Sequence, residues 1–193
     1  MSYRTYTTAA VVCGSYERQQ ADKTYRLFTE SFGLLFATAR SVREERSRQR
    51  YALQDFSFLH VSLVKGKAGW RIGSVIDQGN VFLQAPNQAA RIEIVRLIRM
   101  INRYVHGPEE ADSLFPLLRK ALQSLGSGQV TFPENYARGI ELQILYRLGY
   151  IAPSPQWQEW VEAPAHRFDH SWDAALSAAV QAMVQTADNV SQL

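Results

Sequence analysis

Apolar and polar residues alternate along the first 80 positions and then recur at helical spacing, so the chain changes character near Asn80. Five short strands are predicted in the first part: TAAVVC (8–13), KTYRLFTE (23–30), GLLFATAR (33–40), FSFLHVSLVK (56–65) and WRIGSVID (70–77). In the fourth, Leu59, Val61 and Leu63 share one face, while Phe58, His60, Ser62 and Val64 share the other. Ser31, Phe32 and Gly33 turn the second strand into the third, and GKAG (66–69) turns the fourth into the fifth. Both turns make hairpins, so a mainly antiparallel sheet is expected.

Beyond Pro86 the period lengthens. Ile94, Val95, Ile98, Ile101 and Val105 mark a helix that Gly107 and Pro108 end. A second helix is predicted from about Glu109 to Leu125, with Leu114, Leu118, Leu122 and Leu125 as its stripe, and GSG (126–128) breaks it. The third carries Ala137, Ile140, Ile144 and Leu148, with a capping box of Thr131 and Glu134 at its start and Gly149 at its end. Pro153, Pro155 and Pro164 mark irregular chain before a last helix from about Ser171 to Thr186. The pattern therefore predicts an α+β protein: an all-β barrel of five strands over residues 1–80, then an all-α domain over 87–193. A long connection after the third strand fits an OB-fold. An SH3-like barrel would give nearly the same string, and the placement of charge favours the OB-fold.

That charge is uneven. A composition of 46% hydrophobic and 11% aromatic residues suffices for packed cores, and the formal charge is only +3. Residues 1–80 hold 12 Lys/Arg against 7 Asp/Glu, or +5, whereas the remainder holds 9 against 11, or −2. Much of the surplus sits in the connection after the third strand, at Arg40, Arg43, Arg46, Arg48 and Arg50. Guanidinium groups suit bidentate phosphate contact and stacking on bases, which points to nucleic acid. Charge alone leaves a solvated loop as the competing reading.

Other chemistry is sparse. Cys13 is the sole cysteine, which excludes an internal disulfide and a cysteine-based zinc site, and its run TAAVVC suits a small buried side chain. His166 and His170 flank Asp169 without an H-E-x-x-H spacing or an evident third ligand, so no metal is expected. No phosphate-binding G-x-x-x-x-G-K-[ST] loop and no nucleophile elbow occurs, so neither a cofactor nor enzymatic activity is expected. The start of the chain has no apolar core of a signal peptide, and no apolar run is long enough to span a membrane; a cytoplasmic location is expected.

In order along the chain stand Ala10–Val12, Ser15–Glu17, the LFTESFGL hairpin (27–34), the ARSVREERSR segment (39–48) and LQDFS (53–57). LFPLLRKALQSL (114–125) and ELQILYRLGYIAP (141–153) follow in the helical part. With these parts in this order the chain resembles the RecO family of bacterial recombination mediators over roughly residues 8–155. The resemblance implies an amino-terminal OB-fold and a helical carboxy-terminal domain in an ATP-independent factor. Such a factor binds single- and double-stranded DNA, anneals complementary strands, and loads recombinase together with RecR and single-stranded-DNA-binding protein. Many members carry a four-cysteine zinc site after the L-G-Y-x-P segment. Here that region reads PQWQEWVEAPAHRFDH (155–170), so zinc binding is not carried over.

Carried onto matching positions, the DNA-contact candidates are Arg40, Arg43, Arg46, Arg48 and Arg50, with Lys23 and Arg26 as neighbours on the second strand. Tyr25, Phe28, Phe56 and Phe58 are candidates for stacking on bases, with the core as the competing role for most of them. Arg96, Arg99 and Arg103, at i, i+3 and i+7, form a stripe that would extend the DNA path or receive a protein partner, with an ordinary solvated helix face as the competing reading. Trp157, Trp160, Phe168 and Trp172 are expected to cap one end of the helical bundle where relatives hold zinc. The rival functions are a generic single-strand or RNA binder, and a protein-interaction adaptor that does not bind DNA.

Overall fold

The computed structural model describes residues 4–17, 22–40, 49–107, 111–152 and 155–190. Its strands are β1 (Thr5–Glu17), β2 (Lys23–Thr29), β3 (Gly33–Ala39), β4 (Ser57–Gly66) and β5 (Gly69–Asn80). Helix α1 (Gln49–Ala52) lies in the β3–β4 connection and α2 (Val81–Gln84) follows β5. The strands close into a barrel in the order β1-β2-β3-β5-β4. Pairing is antiparallel except where β3 meets β5, with Ala37 opposite Trp70 and Thr38 opposite Arg71. This order, with a helix between β3 and β4, is that of an OB-fold and settles the choice against an SH3-like barrel.

Strand alternation fills the barrel. Ala10 and Val12 of β1, Tyr25 and Leu27 of β2, Leu35, Ala37 and Ala39 of β3, and Leu59, Val61 and Leu63 of β4 point inward with Ile72. Small Ala10, Ala37 and Ala39 share this interior with large Tyr25, Leu27, Leu59 and Leu63, a mixture that suits a narrow barrel. Each buried leucine stabilises the fold by roughly 1.5–3 kcal/mol. Leu53, just after α1, joins the same core at 2% exposure and anchors the helix at one mouth of the barrel. Gly33 turns β2 into β3 at φ 63, a conformation that a Cβ disfavours. Phe56 adopts φ 71, and is held there by its N–H on the Val12 carbonyl at 2.8 Å and by a ring stacked on Phe82 at 5.2 Å.

The remaining helices are α3 (Gln88–Tyr104), α4 (Ala111–Gly126), α5 (Pro133–Arg147), α6 (Pro155–Val161) and α7 (Ala174–Val190), with a 3-10 turn at Ala165–Phe168. The chain forms two compact units, residues 1–84 with 105–115, and 85–104 with 116–193. In the second unit α5 is buried on nearly all sides, from Tyr136 to Leu145, as a central helix must be. Its one interior amide, Gln143, donates Nε2 to the Ala163 carbonyl at 2.6 Å, satisfying a polar group that burial would otherwise penalise. Phe168 lies directly over Gly139, and Trp160 stacks on Phe168 at 5.7 Å and meets Trp172 edge-on at 5.7 Å. The expected aromatic cluster is therefore present, and Gly139 is what lets its ring reach the helix backbone.

Two expectations are corrected here. The region after Pro153 is not wholly irregular, because it holds α6 and the 3-10 turn. The third predicted helix has no capping box either. Its N-cap is Phe132, without a side-chain cap, and the Asp169 carboxylate instead accepts from the Thr131 N–H at 2.8 Å and the Phe132 N–H at 2.6 Å. Gly149 does end α5, at φ 78, with the Tyr150 N–H on the Leu145 carbonyl and the Gly149 N–H on the Tyr146 carbonyl. Among the described residues no helix is long and apolar enough to cross a membrane.

Candidate nucleic-acid interface

The alternation that buries Leu35, Ala37 and Ala39 turns Leu34, Phe36 and Thr38 outward, and the row continues into exposed Arg40. On β2 the outward residues are Thr24, Arg26 and Phe28, because Tyr25 and Leu27 are inside. Register then joins the strands into one outer face. Tyr16 of β1 pairs with Thr24, Thr24 with Thr38, Arg26 with Phe36, and Thr38 with Arg71 of β5. The Thr24 and Thr38 hydroxyls lie 3.3 Å apart. Along this face run Tyr16, Arg26, Phe36, Arg40 and Arg71, which are two aromatic rings and three guanidinium groups.

The lower part of the face is covered, since Phe28 is fully buried and packs on Phe115 of α4 at 5.7 Å between ring centres. The upper part is open. Tyr16 is 51% exposed and Phe36 46% exposed, and their rings meet edge-on at 6.1 Å. The Arg26 guanidinium lies 5.0 Å from the centre of the Phe36 ring, within reach of a cation–π contact.

Beside the face are two basic hollows. One, of about 320 Å³, is lined by Thr38, Arg40, Gln49, Val64, Arg71, Ile72 and Gly73, and Gln49 Nε2 donates to the Gly73 carbonyl at 2.8 Å to tie α1 to β5. The other, of about 460 Å³, opens at the barrel mouth between Ser15, Lys23, Tyr25, Arg50, Leu53, Gln54 and Asp55. Arg50 Nη2 donates to the Tyr51 hydroxyl at 2.8 Å, and Lys23 lies 5.5 Å from the Tyr25 ring centre and opposite Glu17 in register. Burial, with Asp55 adding to it, pushes the Tyr25 hydroxyl up to about 12. It therefore stays protonated near neutral pH.

Of the residues named from sequence, Arg40 and Arg26 lie on the outer face, and Lys23 and Arg50 lie at the mouth. Arg43, Arg46 and Arg48 fall outside the described residues. Tyr25, Phe28 and Phe58 are in the core, and Phe56 is half-buried against Phe82. Tyr16, Phe36 and Arg71 were not singled out from sequence; Phe36 shares strand parity with Arg40, a signal that would have found it, whereas Tyr16 and Arg71 join the face only through cross-strand pairing.

The second unit holds the other predicted stripe. Arg96 Nη1 lies 3.1 Å from Glu93 Oε2 in an ion pair whose two atoms lack hydrogen-bond alignment, while Arg99 and Arg103 are exposed. Burial pushes the Glu93 carboxyl up to about 7, with Glu134 and Glu141 adding to the rise against the pull of Arg96 and Arg138. Cys13 is also buried, which pushes its thiol up to about 12 and leaves no thiolate for nucleophilic chemistry near neutral pH. No group of three or more His, Cys, Asp or Glu is placed to hold a metal among the described residues.

Comparison with known proteins agrees with this architecture. The family model described as "Recombination protein O N terminal" matches residues 1–76, which span the barrel strands up to Ile76 in β5. Two proteins named "DNA repair protein RecO", from Dehalococcoides mccartyi strains CBDB1 and ATCC BAA-2100, are each 30% identical over 148 residues. That alignment takes in 75% of this chain and 56% of each relative, so the chain spans little more than half the length of the relatives it matches. With an OB-fold where the family model places its amino-terminal domain, and relatives of that name aligned well into the helical part, the chain belongs to the RecO family.

Proposed function

We propose that this protein is a DNA repair and recombination mediator that binds single- and double-stranded DNA on its barrel and anneals complementary strands. The observation that carries this reading is the alignment of Arg26, Arg40 and Arg71 along one outer face of the OB-fold, with Lys23 and Arg50 beside it. In sequence, the connection between β3 and β4 adds Arg43, Arg46 and Arg48 to the positive charge of the amino-terminal part. Cations spaced along a strand neutralise phosphates and release condensed counterions, so binding weakens as salt rises. Two strands held by one cationic surface repel each other less, and annealing then needs no covalent step, no cofactor and no enzyme activity. RecR and single-stranded-DNA-binding protein are the partners this reading calls for, with recombinase loading as the outcome.

Annealing of complementary oligonucleotides coated with single-stranded-DNA-binding protein tests it. Wild type should accelerate annealing in a salt-sensitive way, and Arg40→Ala/Arg71→Ala and Arg43→Ala/Arg46→Ala/Arg48→Ala should each slow it several-fold. Binding without annealing would instead assign a generic single-strand binder. Absence of DNA binding at low salt would assign a protein adaptor.

A further inference from the structure

The exposed aromatic pair on the barrel face is not explained by folding. Large rings half in water contribute less to stability than buried ones, and Tyr16 and Phe36 stand at 51% and 46% exposure on a face whose lower half is covered. Their surroundings are cationic: Arg26 lies against Phe36, the small Thr24 and Thr38 pair across β2 and β3 with their hydroxyls 3.3 Å apart, and Arg40 and Arg71 flank the face. A π-surface edged by guanidinium groups matches a ligand that offers planar rings joined by phosphates. In a duplex those rings are stacked on each other and enclosed by the backbone, whereas in a single strand they can turn outward.

We infer that Tyr16 and Phe36 form a base-stacking platform that takes unpaired bases of single-stranded nucleic acid, with Arg26 bracing the Phe36 ring. This rests on the nucleic-acid reading above and deepens it, because it assigns strand preference to residues separate from the phosphate contacts. Duplex then binds through the cations alone. Single strands gain an additional stacking contribution, which does not depend on counterion release.

The test compares binding of a fluorescent single-stranded oligonucleotide and a hairpin duplex to wild type, Tyr16→Ala/Phe36→Ala and Phe36→Trp across a salt series. The double alanine variant should lose about 10- to 100-fold in single-strand affinity, a tenfold loss being 1.4 kcal/mol, with duplex affinity within about threefold and the salt slope unchanged. Phe36→Trp should retain single-strand binding, and its emission should be quenched by single strand beyond the quenching seen in wild type. Equal loss on both substrates, no loss on either, or unquenched Phe36→Trp emission would overturn the platform while leaving the nucleic-acid reading intact. Failure of wild type to bind either substrate at low salt would overturn that reading, and the platform with it. Thermal melting of the double variant, expected within a few degrees of wild type for two exposed positions, separates lost binding from lost fold.

Discussion

Glu93 shows how one side chain can make stability depend on pH. Its carboxyl, 4% exposed on α3, is held up to about 7 in the fold, above the ordinary value of 4.5. The folded state therefore binds a proton that the unfolded chain releases between those values. Stability should fall as pH rises from about 4.5 to 7 and level off above that. Glu93→Gln removes this dependence. It should match wild type near pH 4 and be more stable near pH 8 by the order of 1–3 kcal/mol, as denaturant melts at the two values would show. Gly139 makes the opposite point, because it is a position where a gain in helix propensity cannot help. Its hydrogen gives room to the Phe168 ring, so Gly139→Ala should cost about 1–3 kcal/mol in thermal or denaturant unfolding.

At the scale of elements, α5 shows what sequence could and could not tell. Thr131 and Glu134 have the spacing of a capping box, yet the Thr131 and Phe132 N–H groups at that end go to Asp169, 38 and 37 residues away. A local pattern cannot reveal a cap supplied from the far side of a turn. Asp169→Ala should therefore destabilise the helical unit by about 1–2 kcal/mol, and Thr131→Ala should change it by no more than about 0.5 kcal/mol. A capping box would give the reverse order. Strand parity was more legible: Leu59, Val61 and Leu63 face inward as their alternation predicts. The same alternation in GLLFATAR carried the outward row Phe36, Thr38 and Arg40, but a lone strand does not say which row faces solvent. The barrel closure decided that: it placed Tyr25 inside and left Tyr16 and Phe36 outside, whereas Phe28 is on the outer row and is buried by Phe115 of α4.

For the molecule as a whole, the change of period near Asn80 and the excess of basic residues before it foretold a barrel followed by helices. What sequence lacked was the neighbourhood of Arg71, which reaches the face only because β5 runs parallel to β3 and pairs Arg71 with Thr38. That pairing joins residues 33 positions apart, and no spacing rule connects them. It brings Arg71 onto the same outer face as Arg26 and Arg40, which gives the proposed DNA path a direction.

The most direct measurement is the salt dependence of single-stranded DNA affinity for wild type and Arg40→Ala/Arg71→Ala. If these two guanidinium groups each neutralise a phosphate, the slope of log affinity against log salt should become shallower by about 1–1.5, with affinity lost mainly at low salt. An unchanged slope, with affinity equal to wild type, would place nucleic acid elsewhere or nowhere on this protein and contradict the assignment of the barrel face.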